Sequence, residues 1–145
     1  MAQVDFYQLS RDPVERVVPL LAGKVIESGE RLLVITADPV QRAALSDALW
    51  ARERTLLANG AAGEPHAERQ PILLSAQCEP VNGARTAILA DGEWREDAAG
   101  FERTVLLFGA EQTDAARALW SALSGSGRAL RIFKQDERGG WREGR

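Results

Sequence analysis

The sequence has little cysteine, little histidine and no long apolar run. Cys78 is its only thiol and His66 its only imidazole. One thiol excludes an intramolecular disulfide framework and a multi-cysteine metal site, and one imidazole argues against a histidine-rich site. No apolar run approaches the roughly 20 residues that span a bilayer, and residues 1–5 lack the basic and apolar regions of a signal peptide. We therefore expect a reduced, cytoplasmic protein with no metal site and no membrane partner.

What is present is an ordinary globular composition with an uneven distribution of charge. The 145 residues are 45% hydrophobic and 27% charged, which predicts a single domain over residues 1–145. The net charge of −3 divides into −7 for residues 1–116 and +4 for residues 117–145. A basic C-terminal segment suits an acidic partner, although a solvated tail has the same composition.

Apolar runs alternate with helical patterns along the chain. Helices are predicted to begin at Asp12 and Asp38, and a third is predicted over residues 111–123. Strands are predicted over residues 4–9, 32–36, 71–75, 86–90, 103–108 and 129–135. This alternation predicts an α/β protein, a three-layer α/β/α sandwich around a mostly parallel sheet. The last strand alternates apolar with basic or polar residues, which is typical of an edge strand, and residues 59–70 have the composition of a surface loop.

Such a fold is Rossmann-like, but the loops that bind phosphate are missing. No Gly-x-Gly-x-x-Gly follows the first strand, and no Gly-x-x-x-x-Gly-Lys-Ser/Thr occurs. Nothing in the sequence brings Cys78 and His66 together as a nucleophile and its base, and capping or solvation explains acids such as Asp5 and Asp38. We therefore expect no catalytic residue and no cofactor, with a nucleotide-using α/β enzyme as an alternative.

Two groups of residues suit protein recognition. Arg117 and Trp120 lie three residues apart on the last predicted helix and are surface neighbours there. Arginine binds a carboxylate and an adjacent ring holds an apolar side chain, although Trp120 also shares an apolar stripe that fits a core position. The second group is Trp50 with the apolar residues 56–58. These residues form either an exposed patch that binds a partner or a corner of the core.

These features belong to an ordered series of short stretches that resembles the chi subunit of the bacterial DNA polymerase III clamp loader. The stretches are Phe6-Tyr7-Gln8-Leu9, Ala48-Leu49-Trp50, Gln70-Pro71-Ile72-Leu73-Leu74, Asn82-Gly83-Ala84-Arg85, Ala116-Arg117-Ala118-Leu119-Trp120, Phe133-Lys134-Gln135-Asp136 and Gly140-Trp141. The resemblance spans nearly the whole chain. It implies a non-enzymatic adaptor in DNA replication whose fold is similar to that of nucleotide-binding α/β domains.

The resemblance implies one binding site on the last helix. In the family, an arginine and an aromatic residue there bind the acidic C-terminal tail of single-stranded-DNA-binding protein, which ends in a phenylalanine carboxylate. Arg117 and Trp120 match that pair, while Thr113 and Ser121 stand where well-known members have basic residues. Other bases are candidates to supply the missing charge, namely Arg128, Arg131 and Lys134.

The resemblance implies a second surface as well. Trp50, Leu56 and Ala58 match the surface that binds the psi subunit, which connects chi to the clamp loader, or alternatively an XPD-like helicase. Nucleic acid would then be contacted mainly through protein partners. The alternative is direct binding of single strands by the C-terminal bases, for which aromatic residues must stack on the nucleotides, and those nearby are Trp120, Phe133 and Trp141.

Overall fold

Eight strands form one sheet at the centre of the molecule, in a computed structural model that describes residues 2–52 and 57–144. The strands are β1 (Gln3–Gln8), β2 (Leu32–Ile35), β3 (Asn59–Ala61), β4 (Ile72–Ser75), β5 (Thr86–Leu89), β6 (Arg103–Phe108), β7 (Ala129–Gln135) and β8 (Trp141–Glu143). The helices are α1 (Val14–Glu27), α2 (Pro39–Trp50) and α3 (Thr113–Leu123), with short 3₁₀ turns at Ala67–Arg69, Glu96–Gly100 and Ala110–Gln112. Among these described residues, no helix is long and apolar enough to cross a membrane.

The sheet is parallel except at one edge. Its strand order is β3-β4-β2-β5-β6-β1-β7-β8, and only the β7–β8 pair is antiparallel. The three continuous apolar strands β2, β4 and β5 are buried along their whole length, as a parallel sheet covered on both faces requires. The predicted α/β class with a mostly parallel sheet is confirmed.

Each face of the sheet carries its own core cluster. On one face, which we call the α1 face, Tyr7 packs with apolar residues of α1 and α2. On the other, the α3 face, Phe6 packs with Ala116 and Leu123 of α3. Because neighbouring residues of a strand point to opposite faces, β1 contributes to both clusters, and its partner β7 does the same.

Two short strands correct the sequence prediction. Asn59–Ala61, predicted as part of a loop, pairs with β4, and Trp141–Glu143 pairs with Phe133–Gln135. The second pairing means that β7 lies between β1 and β8, so its prediction as an edge strand is wrong. Asn59–Ala61 has little intrinsic strand preference, and Trp141–Glu143 is only three residues long. In both cases the pairing comes from a neighbouring strand that the local sequence does not reveal.

Helix α2 begins as its sequence predicts. Asp38 caps it, because its Oδ1 accepts the N–H of Val40 at 2.9 Å, and Pro39 fills the first helical position. A proline there costs no hydrogen bond, since the first amides of a helix have no partner inside it. The capping explanation of Asp38 is therefore confirmed.

Candidate functional site

A cavity of about 450 Å³ lies between α3 and strands β1 and β7, on the α3 face of the sheet. We call it the α3 pocket. It gathers the four residues that the sequence analysis singled out on the last helix with six others. The lining residues are Phe6, Gln8, Phe108, Thr113, Ala116, Arg117, Trp120, Ser121, Ile132 and Lys134.

The spacing of residues on α3 explains why its lining residues meet. Thr113, Arg117 and Ser121 follow one another at intervals of four, so they form one row along the helix. Ala116 and Trp120 form the adjacent row, where Ala116 is buried and Trp120 is half-buried. The small side chain of Ala116 leaves the space that the cavity occupies.

Trp120 combines the two roles that its sequence position allows. Its ring packs edge-on against Phe6 of β1, with the ring centres 5.1 Å apart and the planes at 60°. The same ring lines the α3 pocket. Phe6 in turn packs edge-on against Phe108, with ring centres 6.4 Å apart. The floor of the pocket is therefore an aromatic surface that a second apolar group can contact.

The rim of the α3 pocket is polar and basic. Arg117, Ser121 and Lys134 are exposed. In the described part of the chain, no carboxylate lies within 4.0 Å of the cationic atoms of Arg117 or Lys134. A cavity with an apolar floor and two uncompensated cations at its mouth suits an apolar side chain that is attached to a carboxylate.

Lys134 lines the pocket, whereas two other candidate bases do not. Arg128 is absent from the lining residues. Arg131 points to the α1 face, where its Nη2 and Nε bind the two carboxylate oxygens of Asp5 at 2.9 and 3.0 Å and its guanidinium lies 5.2 Å from the centre of the Phe133 ring. The idea that Arg131 supplies charge to this site is therefore wrong, because alternation along β7 sends it to the other face.

Asp5 is the buried centre of an ion network whose two arginines, Arg103 and Arg131, are partly exposed. It is fully buried, and besides Arg131 it accepts hydrogen bonds from Arg103 Nε at 2.7 Å and from Gln3 Nε2 at 2.8 Å. Burial by itself raises the pKa of Asp5, but the hydrogen bonds from Arg131, Gln3 and Arg103 outweigh it and bring the pKa below its ordinary 3.8. Asp5 neither caps a helix nor faces solvent, so that expectation is wrong.

Trp50 lies in a different part of the molecule. It ends α2, is 54% exposed, and borders a hollow of about 440 Å³ that is also lined by Gly60 and Ala61 of β3. The exposed-patch interpretation of Trp50 is thus favoured over a core position. Ala58 is half-buried and does not line this hollow, and Leu56 lies outside the described residues.

A third hollow occupies the place where open α/β sheets bind nucleotides. About 710 Å³ in volume, it lies at the carboxyl ends of β1, β5 and β6. Gln135 already takes the amides of the loop after β1, because its Oε1 accepts the N–H groups of Ser10, Arg11 and Asp12 at 3.3, 3.0 and 3.1 Å. Among the charged lining residues, the acids Asp12, Asp91 and Glu111 outnumber the single base Arg11. Engaged amides and an excess of acidic over basic lining residues make this hollow a poor phosphate site.

Sequence reasoning found the helical half of the α3 pocket and missed the sheet half. Gln8, Phe108 and Ile132 line it because β1 lies between β6 and β7. In the sequence, only the alternation of residues along those strands indicates which face of the sheet these three side chains share. Which strands are neighbours is a long-range property that the local pattern does not contain.

The chain matches the model of a known family. The model of the family described as DNA polymerase III chi subunit, HolC, matches residues 1–131. No curated protein matches the chain significantly.

Proposed function

Since the chain belongs to the DNA polymerase III chi subunit family, we propose that it is a replisome adaptor that binds the acidic C-terminal tail of single-stranded-DNA-binding protein. Membership of the family makes the chain an accessory, non-catalytic subunit of DNA polymerase III with a role in DNA replication. Binding of the tail is a more specific proposal than this role. The single observation that carries it is the α3 pocket, which combines an apolar floor with uncompensated cations.

The chemistry of the pocket complements that of the tail. Arg117 presents a fork of N–H donors that matches a terminal carboxylate. Trp120, Phe6 and Ile132 offer an apolar surface for the final aromatic ring. Lys134 at the mouth attracts the acids that come before it. Thr113 and Ser121 complete the helical side of the site with hydroxyl groups, which donate hydrogen bonds without adding charge.

We assign the second surface to the psi subunit of the clamp loader or to an XPD-like helicase. The assignment is supported by the exposure of Trp50, since a large aromatic residue that stays outside the core is typical of a binding hot spot. Such an adaptor would tether the polymerase, in the cytoplasm, to single strands that are already coated with protein. Its contact with nucleic acid would be mainly indirect.

Direct binding of single strands has less support. Stacking successive bases requires aromatic residues along one basic groove. Trp120 lies on the α3 face, whereas Phe133 and Trp141 pack on Tyr7 of the α1 face with ring centres 4.7 and 5.1 Å away. The three candidate rings are therefore divided between two faces of the sheet and do not line one groove.

The test is a fluorescence-polarisation titration of a labelled acidic peptide that ends in a free phenylalanine carboxylate. Arg117→Ala should weaken binding about thirtyfold, since removal of a central arginine costs on the order of 2 kcal/mol. Thermal unfolding should be unchanged, because Arg117 is exposed. Binding should also weaken as salt is added.

Arg85→Ala is the matched control, because Arg85 is exposed and its contact with Glu102 is a weak surface pair at 4.0 Å. Peptide affinity that is equal in Arg117→Ala and Arg85→Ala would contradict tail binding. Labelled naked oligonucleotide should bind more weakly than the peptide, and the opposite order would favour a nucleic-acid-binding module.

A further inference from the structure

Gln8 at the end of β1 is a polar residue on the sheet side of the α3 pocket. Its register neighbours are Phe108 of β6 and Lys134 of β7, which line the pocket as well. Phe6 lies two residues earlier on the same face of the strand, and its ring packs against Trp120. The side-chain amide of Gln8 therefore borders the apolar floor of the pocket, one step toward the carboxyl ends of the strands.

The amide of Gln8 is not used by the described part of the protein, residues 2–52 and 57–144. Neither its Oε1 nor its Nε2 takes part in a hydrogen bond there. Gln8 is half-buried, so solvent reaches the amide in the free protein. A ligand in the pocket would exclude that solvent, and a polar group that is covered without a new hydrogen bond opposes binding. A well-matched ligand therefore brings both a donor and an acceptor to Gln8.

The end of a peptide carries such a pair of groups. A side-chain amide has a carbonyl that accepts a hydrogen bond and an NH₂ group that donates. The N–H and the carbonyl of one extended residue point to the same side, so a glutamine can bind both. In the last residue of a peptide, these groups are the final N–H and an oxygen of the terminal carboxylate. An ionised acidic side chain only accepts and would leave Oε1 of Gln8 without a donor.

We propose that Gln8 binds the main chain of the last residue of the peptide, with Oε1 accepting its N–H and Nε2 donating to its carboxylate. This inference rests on the proposed function, in which Arg117 binds the same carboxylate from α3. The two contacts would hold the end of the peptide between the helix and the sheet. They favour a chain end over an internal apolar residue, because only the end has a carboxylate beside its N–H.

The test uses two labelled acidic peptides that end in a free phenylalanine carboxylate and differ only in the last linkage, where an ester oxygen replaces the N–H in the second. The parent protein should bind the ester peptide about fivefold more weakly, the ordinary effect of one hydrogen bond. Gln8→Met keeps the length of the side chain and removes its amide. This variant should bind the amide peptide more weakly than the parent does, and it should bind the two peptides with equal affinity.

The ratio of the two affinities is measured on one protein, so a partial loss of folded protein does not change it. Gln77→Met is the control, since Gln77 is an exposed glutamine that follows β4 and is not among the residues that line the α3 pocket. It should keep the preference of the parent for the amide peptide. A preference that persists in Gln8→Met would overturn the inference, because another group would then accept the N–H. Equal affinities in the parent would overturn it too.

The inference and the proposed function fail separately. If Arg117→Ala weakens both peptides while Gln8→Met keeps the preference for the amide peptide, the role of Gln8 is refuted and tail binding stands. If Arg117→Ala weakens neither peptide, tail binding itself falls.

Discussion

At the scale of single residues, Asp5 joins β1 to the strands on both of its sides. Its carboxylate binds Arg103 of β6 and Arg131 of β7, and these two strands are the sheet neighbours of β1. The contact with Arg131 also fixes the register of β7. A slip by one residue would send Ile132 and Lys134 to the α1 face and would remove the contribution of β7 to the α3 pocket.

We expect Asp5→Asn to lower the free energy of unfolding by about 2 kcal/mol at pH 7, since the two arginines lose the charge that their hydrogen bonds require. The pKa of Asp5 is depressed in the folded protein. Its ionised form therefore contributes stability above the ordinary value near 3.8, and that contribution is lost as the pH falls through the lower, folded value. The difference in the free energy of unfolding between Asp5→Asn and the parent should have its full size at pH 5 to 7 and should become smaller below pH 4.

Urea unfolding followed by circular dichroism at several pH values measures this difference. Glu27→Gln provides the control, because Glu27 is an exposed acid at the end of α1 and neutralising it should leave stability nearly unchanged. A difference for Asp5→Asn that stays constant down to pH 3 would argue against an ionised Asp5 as the source of the stabilisation.

At the scale of elements, Gln135 connects the end of β7 with the loop that leads from β1 into α1. Its side chain is buried. Its Oε1 takes three amides of that loop, while its Nε2 donates to Asp12 Oδ2 at 2.8 Å and to the carbonyl of Gly139 at 3.3 Å. One amide group thus holds the start of α1 and the turn before β8 in place together.

We expect Gln135→Ala to lower the free energy of unfolding by about 2 kcal/mol, because it leaves the amides of residues 10–12 without their acceptor. Gln135→Glu should recover only part of this loss. A carboxylate still accepts the amides, but it cannot donate to Asp12 and it repels that side chain. Hydrogen exchange at residues 10–12 should become faster in Gln135→Ala, and unchanged exchange there would show that the loop is held by other contacts.

The elements differ in how far the sequence predicts them. β2, β4 and β5 follow from their continuous apolar runs, and α2 follows from the Asp38-Pro39 start, because these signals are local. β3 and β8 were missed because their pairing depends on strands elsewhere in the chain. In the α3 pocket, helical spacing identified Arg117 and Trp120 as neighbours. The roles of Arg131 and Gln135 were not accessible, since their partners Asp5 and residues 10–12 lie more than 120 positions away.

At the scale of the whole molecule, the two proposed binding surfaces lie far apart on the sheet. The hollow at Trp50 adjoins β3, which is one edge of the sheet, while the α3 pocket lies over β1 and β7 near the other edge. The helices that carry them, α2 and α3, belong to opposite core clusters. A partner bound at one surface therefore leaves the other accessible.

We expect the two surfaces to act independently. Trp50→Ala should leave the affinity for the tail peptide within about twofold of the parent, because sites without shared contacts have additive effects. Arg117→Ala should likewise leave binding of a purified psi partner unchanged. Size-exclusion chromatography with light scattering should detect chain, psi and peptide in one complex. A tail affinity that falls tenfold in Trp50→Ala would mean that the two surfaces are coupled.

The position of β1 also has a consequence for how the chain folds during synthesis. Of the eight strands β1 is made before the others, yet both of its sheet neighbours, β6 and β7, are made about 100 or more residues later. Asp5 stays without either arginine until Arg103 and Arg131 have been translated. Contacts between such distant segments slow folding. We expect β2, β4 and β5 to associate first. Until β6 and β7 have been made, β1 remains an unpaired apolar segment, and the carboxylate of Asp5 has no arginine to pair with.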